Sequence, residues 1–230
     1  MSIFYIILLC FLLLNIFHDN SGYFLDNCQQ FCYSNFVIVQ IVNKFNNSDG
    51  TNLTKNKGVV DCMRFGIKTL DEFDYRGKTV ICRVDINQPV DRATGTLRST
   101  TRIRACVPTI RELSDKGAHV VLLAHQGSDI EYKNYYTLHP HCAVLEELLG
   151  RPVQFVEDVC GPAAQEAVRS LQDGKILLLE NVRYMAEEQT LFELKLKLTH
   201  EQQAQTVVVR KLAPLADLYI CDAFAAAHRD

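Results

Sequence analysis

The sequence predicts an α/β protein: a doubly wound, mostly parallel sheet with flanking helices, preceded by an irregular or weakly structured N-terminal extension. Three observations carry this expectation. From Phe65 onward, short runs rich in Val, Ile and Leu recur between amphipathic stretches of helical length. Those runs are apolar almost throughout instead of alternating, as strands covered on both faces are. The composition also changes near the same place. Residues 1–65 hold 8 of the 12 Phe and 9 of the 12 Asn with only four acidic and four basic residues, whereas the remainder carries 20 basic and 23 acidic side chains. The boundary therefore falls between an apolar, Asn-rich extension, 1–65, and an α/β domain, 66–230.

The extension opens with an uninterrupted apolar run, residues 3–14, about 18 Å long if helical. That is shorter than the roughly 20 residues a membrane-spanning helix needs. Three readings stay open: a signal-peptide core, a membrane-associated segment, and a poorly structured or non-native extension that includes upstream sequence translated in error. Against a signal peptide, no Lys or Arg precedes the run and no small-x-small cleavage site comes soon after it. Asn46-Asn47-Ser48 and Asn52-Leu53-Thr54 match the glycosylation acceptor pattern, a weak signal in so Asn-rich a stretch.

In the domain, the expected strands are residues 79–84 (TVICRV), 119–124 (HVVLLA), 153–156 (VQFV), 175–179 (KILLL) and 218–221 (LYIC). The helices between them are expected at 101–116, 138–149, 162–171 and, longer, 187–211. In the last of these the β-branched run Thr206-Val207-Val208-Val209 leaves a strand or a helix buried on that face as alternatives. Local punctuation agrees. Ser99-Thr100-Thr101 can supply an N-cap, Pro162 suits a first helical turn, and Gly117, Gly150 and Gly174 come after helices where a left-handed residue is often needed.

A net charge of -3 and a pI near 6.2 exclude a global attraction to nucleic acid or an acidic membrane, and 11 Gly with 6 Pro exclude collagen-like sequence. The nine cysteines stand at 10, 28, 32, 62, 82, 106, 142, 160 and 221. Their odd number and lack of a CxxC framework favour free thiols in a reducing compartment, with Cys82, Cys106 and Cys221 buried in apolar runs. Cys28 and Cys32, four apart, have no second ligand pair to complete a metal site, and His139-Pro140-His141 lacks a third ligand. No GxGxxG, GK[ST] phosphate loop or GxSxG elbow occurs. Tyr132, Tyr135 and Tyr136 beside Lys133 read as aromatic loop packing.

The residues with chemical potential stand just after each strand, because parallel strands bring their C-terminal ends to one edge, where open α/β sheets bind ligands. Arg83, Asp85 and Asn87 alternate at the end of the first strand. Asp85 and Asn87 can hold hydroxyl or carboxylate groups, or else brace the loop before Pro89. Arg102, in the first turn of the next helix, and Arg183, after the fourth strand, offer planar forks to a phosphate or carboxylate, with surface solvation as the plain alternative. His125 is read either as a phosphate donor or acid, or as a packed histidine. His228 and Arg229 add donors near the end, and Asp222 is read as binding a cation, orienting an arginine or capping the Ala-rich segment after it.

These segments carry a family resemblance. RVDINQP (83–89) resembles the RVDFN-x-P segment of phosphoglycerate kinases, TRIRACVPTI (101–110) their arginine-containing helix start, LLLENVRY (177–184) their LLLEN-x-R segment, and ICDAFAAAHRD (220–230) their NDAFG-x-AHR. Four ordered motifs over roughly 160 residues liken this chain to the N-terminal, glycerate-binding domain of that family. The resemblance implies that Arg83, Asp85, Asn87, Arg102, His125, Arg183 and Arg229 form the substrate side of a cleft, with His228 and Asp222 in support. It implies 3-phosphoglycerate or 1,3-bisphosphoglycerate as partner, Mg-ADP or Mg-ATP as cofactor of the full-length enzyme only, and no nucleotide or metal residues here. A cytoplasmic, monomeric glycolytic kinase, represented by a chain truncated before its nucleotide-binding domain and inactive alone, is the expectation. Two departures favour a noncatalytic anion-binding or interaction module instead: Ser128 stands where the family has an arginine, with Asp129 next to it, and Ala225 where it has a glycine.

Overall fold

The computed structural model describes residues 38–41, 70–91, 93–127, 135–188 and 198–223. The apolar run 3–14, both glycosylation sequences, Cys10, Cys28, Cys32 and Cys62, and the site candidates Ser128, Asp129, Ala225, His228 and Arg229 lie outside them. Six strands form one sheet: β1 (Ile38–Ile41), β2 (Thr79–Val84), β3 (His119–Leu123), β4 (Val153–Val156), β5 (Ile176–Leu179) and β6 (Leu218–Asp222). Their order across the sheet is β1-β6-β2-β3-β5-β4, with every pair from β6 to β4 parallel. This is the mostly parallel sheet that the apolar runs predict.

The extension contributes the one antiparallel strand among the described residues: β1 lies on the outer edge of β6, from Ile38 opposite Cys221 to Ile41 opposite Leu218. It occupies a β-branched stretch that pairs a sheet edge which would otherwise present free backbone groups.

Both faces of the sheet are buried, which explains why the strands read as continuous apolar runs. Val80, Cys82, Val84, Val120, Leu122, Ile176, Leu178, Leu218 and Ile220 face one core; Ile81, Val121, Leu123, Leu177 and Leu179 face the other. Helices α1 (Thr101–Asp115) and α2 (His139–Leu149) cover the first face through Ile103, Cys106, Ile110, Leu113, Leu138, Cys142, Leu145 and Leu149. Helix α3 (Pro162–Ser170), through Ala164, Ala167 and Val168, covers the second with Leu212 of a later helix. Burial raises the thiol pKa values of Cys82, Cys106, Cys142, Cys160 and Cys221, that of Cys106 to about 12, so these five free cysteines are protonated core groups.

The expected punctuation is present. Gly117, Gly150 and Gly174 have φ of 81, 69 and 73°, and Pro162 occupies the first turn of α3. Thr100 is the N-cap residue of α1, but its Oγ1 accepts from Arg104 Nε at 3.2 Å and makes no capping bond; Ser99 Oγ accepts from the Thr101 N–H at 3.3 Å. The long helix expected at 187–211 is divided. Helix α4 (His200–Ala204) starts at Thr199 in a capping box with Gln202, and α5 (Val207–Leu212) restarts after Thr206, whose backbone is extended. The Val207 N–H is taken by Glu187 Oε2 at 2.6 Å, so a carboxylate from another segment stands where a continuous helix would put a carbonyl.

Candidate functional site

The C-terminal ends of β2, β3, β5 and β6 bring five sequence-predicted residues to one edge: Asp85, Asn87, His125, Arg183 and Asp222. Arg102 joins them from the first turn of α1. Between β2 and α1 the chain makes a small hairpin, with Val90 bridged to Leu97 and the Arg98 N–H bonded to the Pro89 carbonyl at 2.8 Å, which returns α1 to the strand it left. Arg102 Nη1 then reaches both Asp85 carboxylate oxygens at 3.2 Å. The pair is open to water, with the Arg102 side chain 54% and Asp85 20% exposed.

Asn87 faces the neighbouring loop. Its Oδ1 accepts from the Gly127 N–H at 3.2 Å, and its Nδ2 meets His125 Nε2 at 3.5 Å. Gly127 has φ of 97°, a conformation that glycine adopts without the clash a Cβ brings. Asp85 Oδ1 also accepts the Asn87 N–H at 3.3 Å. Bracing of the loop, one of the two sequence readings of Asp85 and Asn87, is therefore present, and the same side chains still line the edge.

Two buried amides that sequence reasoning did not single out tie the loops together. Asn181 is fully buried; its Oδ1 accepts from the Gln126 and Arg183 N–H groups at 3.0 Å each, and its Nδ2 donates to the Gln126 and Tyr136 carbonyls at 2.9 Å. Gln126 exchanges two bonds with the main chain of Gln88, Gln88 N–H to Oε1 at 3.0 Å and Nε2 to Gln88 O at 2.8 Å. Glu180 is the third tie: Oε1 accepts from the Leu138 and Asn181 N–H groups and Oε2 from the Thr137 hydroxyl at 2.6 Å. Glu180 and Asn181 sit inside the LLLENVRY segment and Gln126 comes directly after His125, which was the available signal. The long-range bonds named here span 38 to 55 positions, from Gln126 with Gln88 to Asn181 with Gln126.

Arg183 is placed at the edge and buried, at 3% exposure. Asp222 is half-buried beside β2, opposite Val84 in register. Burial raises its pKa and the Asp85 charge raises it further, against a hydrogen bond from Thr109 that lowers it. Arg83, at the end of β2, already has a carboxylate partner. It lies on the opposite side of β2 from Val84, and its Nη2 meets Glu188 at 2.6 Å. Burial works to lower the Arg83 pKa, and the Glu188 charge and hydrogen bond outweigh it and raise it. Among the described residues, no three His, Cys, Asp or Glu side chains gather in a way that could hold a metal ion. The edge is thus a surface of guanidinium, imidazole and amide donors on a rigid amide frame, suited to an anion with hydroxyl or carboxylate groups.

The family model for phosphoglycerate kinase matches residues 70–230, which include every described strand-end residue named above. This chain belongs to the phosphoglycerate kinase family. The phosphoglycerate kinase of Methanothermobacter thermautotrophicus is 51% identical over 165 residues, 72% of this chain and 38% of that protein. The kinase of Sulfurisphaera tokodaii is 45% identical over 163 residues, 71% of this chain and 38% of its own length. The crystal structure of phosphoglycerate kinase from Pyrococcus horikoshii superposes with a TM-score of 0.61 at 39% identity, over 70% of this chain and 37% of that one. The chain spans about 38% of the length of these curated phosphoglycerate kinases. Among the described residues, no helix is long and apolar enough to cross a membrane.

Proposed function

We propose that residues 66–230 are the N-terminal, glycerate-binding domain of a phosphoglycerate kinase. In the complete enzyme this domain serves reversible phosphoryl transfer between 1,3-bisphosphoglycerate and Mg-ADP in the cytoplasm. The observation that carries the reading is the convergence of Asp85–Arg102, Asn87–His125 and Arg183 on one sheet edge in a chain of this family. Arg102, His125, Arg183 and, from outside the described residues, Arg229 are assigned the phosphate and carboxylate. Asp85 and Asn87 are assigned the glycerate part, with His228 and Asp222 in support. Arg83 serves in this scheme after exchanging Glu188 for the substrate.

Such residues act by positioning and charge neutralisation, and no covalent intermediate on the protein is required. The nucleotide and its magnesium belong, on this reading, to the part of the longer relatives that this chain does not match. Ser128 and Ala225 favour a second reading, an anion-binding module without catalysis. Titration of the chain with 3-phosphoglycerate, monitored by calorimetry, tests both. The first reading expects saturable binding that Arg102→Ala weakens at least tenfold, with inorganic phosphate binding far more weakly. Equal affinity for the two anions favours the module, and no binding of either overturns both.

A further inference from the structure

We infer that Gln126, gripped by His141, is a positioning residue that preassembles the substrate edge. The inference rests on the glycerate-site reading above. It starts from a buried amide whose orientation its surroundings fix. Gln126 Oε1 receives the Gln88 N–H at 3.0 Å and faces His141 Nε2 at 2.9 Å, while Gln126 Nε2 donates to the Gln88 carbonyl at 2.8 Å. A flipped amide would set N–H against N–H and carbonyl against carbonyl, so only this orientation satisfies Gln88.

An imidazole nitrogen that faces a carbonyl oxygen at hydrogen-bond distance carries the hydrogen. His141 is therefore the Nε2–H donor, and its Nδ1 is the unprotonated nitrogen, buried without a hydrogen-bond partner among the described residues. A second proton would have to sit there with no acceptor. His141 is also fully buried, which lowers its pKa to about 4 and keeps the ring neutral. From inside α2 it has no access to a ligand at the edge and acts only through Gln126.

What Gln126 holds is the loop that carries Asp85 and Asn87. Gln88 comes directly after Asn87, and fixing both of its backbone groups fixes the peptide behind the Asn87 side chain. Asn87 closes the circuit onto Gly127 and His125, the two neighbours of Gln126 in the chain. The loops after β2 and β3 are thus locked in one relative placement from α2. A leucine of similar size would fill the space and leave three hydrogen-bonding groups unpaired.

The test uses the whole chain, 3-phosphoglycerate calorimetry and amide hydrogen exchange by NMR. Gln126→Leu and His141→Leu are each expected to weaken binding about tenfold, the double variant to lose little more than either, and His141→Gln, whose amide restores an N–H, to recover most of the affinity. The Gln88 amide should exchange fast in both leucine variants and slowly in His141→Gln, with Val121 of β3 protected throughout. Unchanged affinity in Gln126→Leu, or fully additive losses in the double variant, overturns the inference. If the unaltered chain binds no 3-phosphoglycerate, the glycerate reading fails alone, and Gln88 exchange still decides: faster exchange in His141→Leu supports the strut, and unchanged exchange overturns it. Should the leucine variants unfold, Gln126→Glu replaces them. It keeps the acceptor and adds a charge, so His141 should titrate well above its original range in imidazole nitrogen shifts, and an unmoved titration refutes the contact.

Discussion

At the C-terminal edge of the sheet, the loops after β3 and β5 are joined by buried amides, whereas the loop after β2 meets α1 through an ion pair standing in solvent. Asn181 is fully buried and makes four hydrogen bonds to main-chain groups. The Asp85–Arg102 pair has a 54% exposed arginine and contacts at 3.2 Å. The first kind of link is costly to break, because unpaired amides in a low-dielectric interior cannot turn to water. The second kind can be exchanged for another anion at little cost, because water already screens it. One edge thus combines a fixed frame with a replaceable partner, which is the combination that the proposed glycerate site calls for.

The contrast is broken most directly at Asn181. Asn181→Leu strands two N–H donors and two carbonyls, and it should destabilise the fold by about 3–5 kcal/mol in urea unfolding. A loss below about 1 kcal/mol would mean that the frame is not held by this amide.

Acid should loosen the same frame from the His141 side. The ring takes up its proton at about 4 in the fold and near the ordinary 6.5 when unfolded. Between those values the unfolded chain holds more protons, so unfolding free energy rises with pH. This contribution to stability is complete above about pH 6.5 and falls as pH drops toward 4, by up to about 3 kcal/mol. Thermal midpoints across that range should decline more steeply in the natural chain than in His141→Gln, and parallel curves would remove the histidine from the account.

The smallest stability effect is expected at the exposed pair. Arg102→Ala should change unfolding free energy by less than about 0.5 kcal/mol while weakening 3-phosphoglycerate binding as proposed above. A large stability loss there would erase the distinction between frame and exchangeable pair.

Much of this was legible in the chain itself. The five strands after residue 65 lie where the apolar runs place them, and α1 to α3 are bounded by the glycines or prolines that punctuate them, because these signals depend on neighbours within a few residues. Placement of Asp85, Asn87, Arg102, His125 and Arg183 on one edge came from parallel topology alone. The engagement of Arg83 was not legible. Its partner Glu188, which takes its guanidinium, is 105 positions later in the chain. The division of the last long helix was hidden for a like reason, since Glu187 caps Val207 across 20 positions.

The sequence by itself determined the strand and helix alternation, the two-faced burial of the sheet and the placement of Asp85, Asn87, Arg102, His125 and Arg183 at its C-terminal edge, because periodicity and turn chemistry are local. Tertiary structure alone decided the strand order, the pairing of β1 with β6, and the choice of partners by Arg83, Gln126, His141 and Asn181. Those choices depend on which donors and acceptors the packed sheet and helices bring within about 3 Å of one another while excluding water. Chain neighbours do not encode that proximity.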